Sequence, residues 1–282
     1  MNKPALYHKF HAKAKEDVGD FIRKNFSKFS FNPNGCDNFI DVGTGPGDVF
    51  MQYIYPLLPL AKCNRLVLSD ISKDMLEFLK QYYQTPSKFE FCTFDIQSKK
   101  GLPNNLEGQF DHVTSCLVLH WVPDNGMALK NIFNLLRPDG DCLLIFYSYN
   151  GVFEVHSLLS ASPKWSQYTK GVRPNIACLQ NVKNPKEIFH SMMLDAGFSD
   201  ISIDLRYSVY GYESVEHLKE NVISVCDILD LIPKHRQPEF LDDYVEVMID
   251  IAKRKRGLSG KAAEAVIVAD VMMAYGKRRA EN

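Results

Sequence analysis

A glycine-rich loop is the strongest chemical signal in the sequence. Residues 41–47 read Asp-Val-Gly-Thr-Gly-Pro-Gly and follow a short apolar stretch that predicts a strand. Glycines at such a turn let the backbone come close to a ligand. A dinucleotide-binding loop would place a glycine at position 48, but Asp48 stands there, and an acid opposes a pyrophosphate at a helix N-terminus. The loop therefore favours a cationic ligand without phosphate groups over NAD.

Two more carboxylates end the next two predicted strands. Asp70 stands where an acid typically accepts hydrogen bonds from both hydroxyls of a ribose. Asp95 and Ile96 are placed to meet the amino group and the face of an adenine, and the alternative for Asp95 is a helix N-cap. In this order, the loop and the two acids predict a site for a ribose and an adenine.

The elements that must position these residues alternate along the chain. Strands are predicted at 38–42, 65–70, 89–95, 111–119, 141–148, 199–210 and 265–277. Helices are predicted at 5–29, 49–58, 73–83, 126–136, 185–196, 213–231 and 237–254, and residues 151–184 are expected to be rich in loops. Strands that alternate with helices predict an α/β fold with a mostly parallel sheet.

Composition excludes several classes of protein. The chain has 282 residues and a formal net charge of −1, which offers no electrostatic case for binding nucleic acid. Its seven cysteines form no CxxC pair, so neither a zinc site nor a disulfide framework is predicted, and no other metal site is expected. The N-terminus has no signal-peptide pattern, and no apolar run reaches the ~20 residues of a membrane span. We expect a cytoplasmic protein, and its oligomeric state stays open.

Together, the loop and the two acids resemble the class I S-adenosylmethionine-dependent methyltransferases. The resemblance implies a Rossmann-like fold, in which a seven-stranded, mostly parallel sheet carries helices on both faces and a helical cap. It also implies S-adenosyl-L-methionine as the cofactor. The residues expected to bind it are Asp41, Gly43, Thr44, Gly45, Asp70, Ile71, Asp95, Ile96 and Cys116.

Three longer stretches, at 39–49, 117–155 and 163–168, resemble the insect juvenile hormone acid methyltransferases and their paralogues. The resemblance implies one methyltransferase domain over 1–282, with an N-terminal helical lid and a cofactor-binding core followed by a substrate-binding cap. The boundaries are 1–30 for the lid, 35–150 for the core, and 151–198 with 211–260 for the cap. Members of that family methylate the carboxylate of juvenile hormone acids or farnesoic acid, so a small lipophilic or aromatic substrate is expected.

The expected acceptor site centres on Trp121, whose indole N–H can donate to an acceptor oxygen; packing under the cap is its alternative role. A carboxylate needs no general base, whereas a phenol would benefit from one, and His120 and His11 are the candidates. Adjacent residues on a strand point to opposite faces, so a structural role is favoured for His120. The predicted substrate-binding residues are Tyr7, His11, Ala14, Trp121, Tyr147, Trp165, Tyr168 and Val222.

One departure from the family concerns the N-terminal helix. In the family, a Gln a few residues after a Tyr-x-Lys element helps to hold the substrate carboxylate. Aligning Tyr7-His8-Lys9 with that element puts Ala14 at the Gln position. Alanine donates no hydrogen bond, and one missing donor to a buried carboxylate costs about 1–3 kcal/mol. The leading hypothesis is methylation of a sesquiterpenoid carboxylate; the alternatives are methylation of a small phenol and, more remotely, a non-catalytic cofactor-binding relative.

Overall fold

The computed structural model describes residues 4–10, 12–59, 61, 63–170, 177–226 and 228–280. Its centre is a seven-stranded sheet. The strands are β1 (Asp37–Val42), β2 (Cys63–Asp70), β3 (Phe89–Thr93), β4 (Phe110–Cys116), β5 (Leu136–Asn150), β6 (Ser199–Gly211) and β7 (Val266–Lys277). They follow the order β3-β2-β1-β4-β5-β7-β6. Strands β1 to β5 run parallel, and β7 is antiparallel to both of its neighbours.

Helices cover both faces of this sheet. They are α1 (Pro4–Phe10), α2 (Ala12–Asn25), α3 (Lys73–Tyr83), α4 (Asn125–Leu135), α5 (Gly151–Ala161), α6 (Ser166–Thr169), α7 (Pro185–Asp195), α8 (Val215–Val225), α9 (Gln237–Arg256) and α10 (Lys261–Glu264). The alternating side chains of β5 divide between two cores, with Leu143 and Ile145 on one face and Leu144 and Phe146 on the other. No helix in the described part of the chain has the length and apolar character to cross a membrane.

The strand order reverses between β1 and β4, because β2 and β3 lie to one side of β1 and β5 lies beyond β4. In open α/β sheets, ligands bind at the carboxyl ends of the strands where the order reverses. The predicted Rossmann-like fold with its seven-stranded, mostly parallel sheet is confirmed. The topology therefore indicates a ligand-binding site at the end of β1, where the glycine-rich loop begins.

The prediction that residues 151–184 are rich in loops is wrong for the first third of the segment, which forms α5 (Gly151–Ala161). The Asn150 side chain accepts a hydrogen bond from the Val152 amide (2.9 Å) and caps the helix N-terminus. Val152, Phe153, Val155 and Leu159 are all buried. The outward face carries Leu158 beside Glu154, so its polar stripe is interrupted and the helical period is weak.

The fourth strand ends at Cys116 and not at residue 119 as predicted. Leu117 has a left-handed φ of 60°, which turns the chain out of the sheet, and its amide donates to the Ile145 carbonyl (2.7 Å). A short 3-10 turn follows at Leu119–Trp121. The Asn125 side chain fixes that turn by donating to the carbonyls of Leu119 (3.0 Å) and Val122 (2.5 Å).

Other elements also differ from the simple sequence pattern. The helix predicted at 5–29 is found as α1 and α2, with residue 11 outside the described residues. After the glycine-rich loop, the chain forms a π-helix at Phe50–Ile54 and a 3-10 turn at Tyr55–Leu57 in place of one regular helix. The helix predicted at 213–231 ends with α8 at Val225, and a separate 3-10 turn follows at Ile228–Leu231.

Candidate active site

A cavity of about 620 Å³ opens at the carboxyl ends of β1, β2 and β4. We call it the main cavity. Its lining includes every residue that the sequence predicted for the cofactor: Asp41, Gly43, Thr44, Gly45, Asp70, Ile71, Asp95, Ile96 and Cys116. The structure thus brings these nine residues together around one space, whose volume lies within the ~300–1,000 Å³ usual for small-molecule sites.

The glycine-rich loop can pass close to its neighbours only because two of its residues lack a side chain. Gly43 has φ +72°, and a Cβ atom there would lie 2.3 Å from Cγ2 of Val118. Gly47 has φ +87°, and its Cβ would lie 2.5 Å from Cγ of Leu79. The amides of Gly43 and Thr44 both donate to the Ser69 carbonyl (2.7 and 2.8 Å) and fix the loop on β2.

The Asp70 carboxylate is oriented by two backbone amides. Oδ2 accepts from the Gly45 amide and Oδ1 accepts from the Ser72 amide, both at 2.8 Å. Burial raises the pKa of Asp70, and these hydrogen bonds oppose that shift. Each oxygen keeps a further lone pair, so this carboxylate can accept two hydroxyl groups of one ligand.

Asp41 is a second, more deeply buried carboxylate of the main cavity. It accepts a hydrogen bond from the Thr114 hydroxyl (2.5 Å), which joins the end of β1 to β4. Burial raises the pKa of Asp41 to about 7, against the opposing effect of the hydrogen bond from Thr114. A cation bound in the cavity would favour the ionised form of this group.

Asp48 anchors the N-terminal helices to the loop, a role that its sequence position did not indicate. The buried carboxylate accepts from Lys15 Nζ and His8 Nδ1, each at 2.5 Å, and from the Tyr83 hydroxyl (2.8 Å). Lys15 Nζ also donates to the His8 carbonyl (2.9 Å). Burial lowers the pKa of Lys15, and Asp48 opposes that shift. Lys15 and Tyr7 both line the main cavity, so α1 and α2 close one side of it.

A much smaller space, about 40 Å³, adjoins the main cavity. We call it the side chamber. Tyr7, Leu117, Trp121 and Val225 line both spaces and therefore form the boundary between them. Around this boundary the side chamber is aromatic and polar, with Tyr147, Tyr210, Tyr212 and Asn221 among its lining residues.

His120 and Trp121 both line the side chamber, which the prediction of opposite faces did not anticipate. They lie on the 3-10 turn and not on a strand, so the alternation rule does not apply. The Tyr147 amide donates to Nδ1 of His120 (3.4 Å), which leaves this ring nitrogen unprotonated. The Trp121 ring packs against the edge of Phe153, with ring centroids 5.0 Å apart.

The remaining predicted acceptor residues divide into two groups. Tyr7, Ala14 and Tyr147 line the side chamber. Trp165, Tyr168 and Val222 line neither space: Trp165 Nε1 donates to Asp243 (2.7 Å), the Tyr168 hydroxyl accepts from Arg236 (3.2 Å), and Val222 is buried in the core. His11 lies outside the described residues. Sequence reasoning missed Lys15, Tyr210 and Asn221, because no local pattern marks residues that only tertiary contacts bring to a site.

Comparisons with known proteins agree with this geometry. The methyltransferase domain family matches residues 40–144, which hold the glycine-rich loop and the strand ends. YcgJ of Bacillus subtilis superposes with a TM-score of 0.62 at 13% identity, covering 92% of this chain and 98% of that one. A Haemonchus contortus phosphoethanolamine N-methyltransferase bound to S-adenosyl-L-methionine superposes with a TM-score of 0.52 at 15% identity, covering 94% of this chain and 53% of that one.

The fold and the matched domain define a Rossmann-like methyltransferase. Two relatives identify the methyltransferase family to which the chain belongs. A juvenile hormone acid O-methyltransferase of Drosophila melanogaster is 34% identical over 282 residues, which cover 100% of this chain and 94% of the relative. Its Bombyx mori counterpart is 31% identical over 248 residues, or 88% of this chain and 86% of the relative. The chain belongs to the juvenile hormone acid O-methyltransferase family, and it is an O-methyltransferase.

Proposed function

We propose that the chain transfers the methyl group of S-adenosyl-L-methionine to a carboxyl oxygen of a small lipophilic acid, of the juvenile hormone acid or farnesoic acid type. The observation that carries this proposal is the shared boundary at Trp121, where the main cavity meets the side chamber. Two insect relatives that are named for the same acid support it.

The residues of the main cavity fit this cofactor. We expect Asp70, which two backbone amides orient, to accept the two ribose hydroxyls. Asp95 and Ile96 line the same cavity and are expected to meet the adenine. The buried Asp41 favours the cationic end of the molecule. When bound, the cofactor supplies an electrophilic methyl group on a positively charged sulfur, so the protein needs only to align the acceptor and exclude water.

The side chamber would hold the acceptor group. Trp121 can donate its indole N–H to a carboxyl oxygen at the boundary, and the surrounding aromatic rings exclude water. A space of 40 Å³ is little more than the ~30 Å³ share of one water molecule, so it accommodates a carboxyl head group but no sesquiterpenoid chain. Binding of the whole acid therefore requires some of the elements around the side chamber to move. The helices α1 and α8, which pack on each other, contribute Tyr7 and Asn221 to its wall.

A phenol as acceptor is the second candidate, and one observation favours it. Ala14 lines the side chamber where, according to the family resemblance, a glutamine side chain would help to hold a carboxylate. A phenol, with a pKa near 10, would then need a base. His120 is the nearest candidate in the chamber, but its Nδ1 already accepts the Tyr147 amide.

The deciding experiment is methyl transfer from labelled S-adenosyl-L-methionine to two panels of acceptors. One panel contains farnesoic and juvenile hormone acids, and the other contains small phenols. We expect methyl esters from the acids and no product from the phenols. Product from the phenols alone would contradict the carboxylate proposal, and cofactor binding without S-adenosylhomocysteine from either panel would contradict both candidates.

The substitution Ala14→Gln sharpens that experiment. A glutamine in the side chamber adds one donor beside the carboxyl group, so kcat/KM for the acids should rise about threefold to tenfold, in line with a net ~1 kcal/mol per hydrogen bond. Ala12→Gln, on an exposed position of the same helix, is the matched control and should change nothing. A loss of acid methylation in Ala14→Gln would mean that the helix is not positioned to hold the carboxyl group.

A further inference from the structure

The wall of the main cavity is strongly acidic. It is lined by five aspartates, which are Asp41, Asp48, Asp70, Asp95 and Asp230. Lys15 is the only cationic side chain among the described residues of this lining, and it is buried. The wall therefore suits a ligand with positive charges, whereas an anionic group of that ligand has Lys15 as its one oppositely charged partner.

The order of the strands indicates which part of the cofactor would lie near Lys15. Asp95, Asp70 and Asp41 stand at or just beyond the carboxyl ends of β3, β2 and β1, which are neighbours in this order. With the adenine expected at the first and the ribose at the second, the amino-acid part of the molecule would extend over β1. The glycine-rich loop leaves β1 there and is followed by Asp48, which accepts from Lys15 Nζ (2.5 Å).

The backbone of the glycine-rich loop is already occupied as a hydrogen-bond donor. Four of its amides donate to acceptors of the protein itself, those of Gly43, Thr44, Gly45 and Gly47. Pro46, which lies among them, has no amide hydrogen. A carboxylate that lies over this loop therefore needs a donor from another part of the chain.

Lys15 can supply that donor, because an ammonium group has three protons. Nζ donates to Asp48 Oδ2 at 2.5 Å and to the His8 carbonyl at 2.9 Å. Its third contact, with the Tyr7 carbonyl, is 3.5 Å long and exceeds the ~2.7–3.2 Å usual for an N–H···O hydrogen bond. This proton can pass to a ligand oxygen while the two shorter hydrogen bonds remain.

We propose that Lys15 binds the α-carboxylate in the amino-acid part of S-adenosyl-L-methionine. The proposal rests on the proposed use of this cofactor. A hydrogen bond between an ammonium group and a carboxylate is stronger than one between neutral groups. Because Lys15 also holds the His8 carbonyl, the same side chain would join the bound cofactor to α1, which carries Tyr7 to the boundary of the two spaces.

The first test uses the wild-type protein and two ligands that differ in this carboxylate alone. One is S-adenosyl-L-homocysteine, and the other is its decarboxylated analogue, which keeps the adenosine, the sulfur and the amino group. Both dissociation constants are measured by calorimetry at neutral pH. We expect the analogue to bind about tenfold to a hundredfold more weakly, as for the loss of a hydrogen bond to a charged group. An analogue that binds as tightly as S-adenosyl-L-homocysteine overturns the proposal.

The second test asks whether Lys15 is the group that recognises the carboxylate. Lys15→Met removes the charge and keeps the length of the side chain, so the ratio of the two dissociation constants should fall from its wild-type value towards one. Tyr83→Phe is the matched control, because it removes another hydrogen bond to Asp48 from a residue outside both spaces, and it should keep the wild-type ratio. Lys15→Gln serves if Lys15→Met does not fold.

A purely structural role of Lys15 predicts a different result. Loss of an anchor for α1 would weaken the binding of both ligands by the same factor and leave their ratio unchanged, and that outcome overturns the assignment. It would leave methyl transfer from S-adenosyl-L-methionine standing. A wild-type protein that does not bind S-adenosyl-L-homocysteine would overturn the proposed cofactor and this assignment together.

Discussion

The main cavity and the side chamber share a wall but are built differently. The main cavity is shaped by backbone, through three left-handed glycines and amides that orient Asp70. The side chamber is shaped by side chains that come from both ends and the middle of the sequence, from Tyr7 to Ile267. A site that is shaped by backbone tolerates few substitutions. The ligand preference of a site that is shaped by side chains can change through single substitutions.

This difference separates binding of the cofactor from recognition of the acceptor. The proposed ribose site depends on the sharp turn of the chain after β1. A change of side chain elsewhere in the molecule cannot replace that turn. In the proposed acceptor site, the donors and acceptors are hydroxyl groups and one indole. A preference between a carboxyl group and a phenol would there rest on a few hydrogen bonds worth about 1 kcal/mol each.

The largest expected effect is in the backbone-built region. Gly43→Ala combines a left-handed φ with a Cβ that would lie 2.3 Å from Cγ2 and 2.9 Å from Cγ1 of Val118. Rotation of that side chain would still leave its own Cβ only 3.2 Å away. We expect its dissociation constant for S-adenosyl-L-methionine, measured by calorimetry, to rise a hundredfold or more. Gly45→Ala carries the strain of φ +56° but meets no atom within 4 Å, so it should weaken binding by about tenfold at most. Equal constants would show that the close approach to Val118 is unimportant.

A smaller effect is expected at the boundary of the two regions. Trp121→Phe keeps the aromatic packing against Phe153 but removes the indole donor, so kcat for the acid should fall about tenfold to a hundredfold with cofactor affinity unchanged. The other tryptophan is the matched control. Trp165→Phe loses the hydrogen bond to Asp243 away from both spaces, and should lower stability by about 1 kcal/mol without changing kcat. If both variants keep the wild-type kcat, Trp121 has no role in orienting the acceptor.

The smallest effect concerns the pH dependence of cofactor binding. Because burial raises the pKa of Asp41 to about 7, this group changes from mostly neutral at pH 6 to mostly ionised at pH 8. The ionised form attracts the cationic cofactor, so its affinity should rise about tenfold over this range. Asp41→Asn should bind with an affinity that does not vary with pH, and a flat profile in the wild type would contradict this role.

The same group affects stability with the opposite sign. Its folded-state pKa lies above the unfolded value near 4, so the folded protein without cofactor binds more protons than the unfolded chain between about pH 4 and 7. The contribution of Asp41 to the free energy of unfolding should therefore decrease as the pH rises through that window. The Asp41→Asn variant should lack that decrease.

Most of the fold could be predicted from the sequence. The period of the hydrophobic pattern and the residues that end helices and strands are local features of the chain. The strand at 265–277 was predicted within one residue of β7, and the ends of β1 and β2 were placed correctly at Val42 and Asp70. Prediction from the sequence failed where a local rule gave no signal. The helix α5 is mostly buried and carries Leu158 on its outward face, which interrupts the polar stripe. The turn at Leu119–Trp121 depends on hydrogen bonds from Asn125.

By itself, the sequence determined which residues meet at the proposed cofactor site. Parallel strands place their carboxyl ends at one edge of the sheet, and their order alone brings Asp41, Asp70 and Asp95 to one cavity. Only the tertiary structure decided the acceptor region. It brought Lys15 to Asp48, Tyr210 to Asp17, and the Tyr210 ring against that of Tyr147, across separations that no spacing rule spans. It also left Trp165 and Tyr168 outside both spaces. The physical reason is that a strand end is fixed by its own hydrogen-bonded ladder, whereas a side-chain contact depends on how whole helices pack.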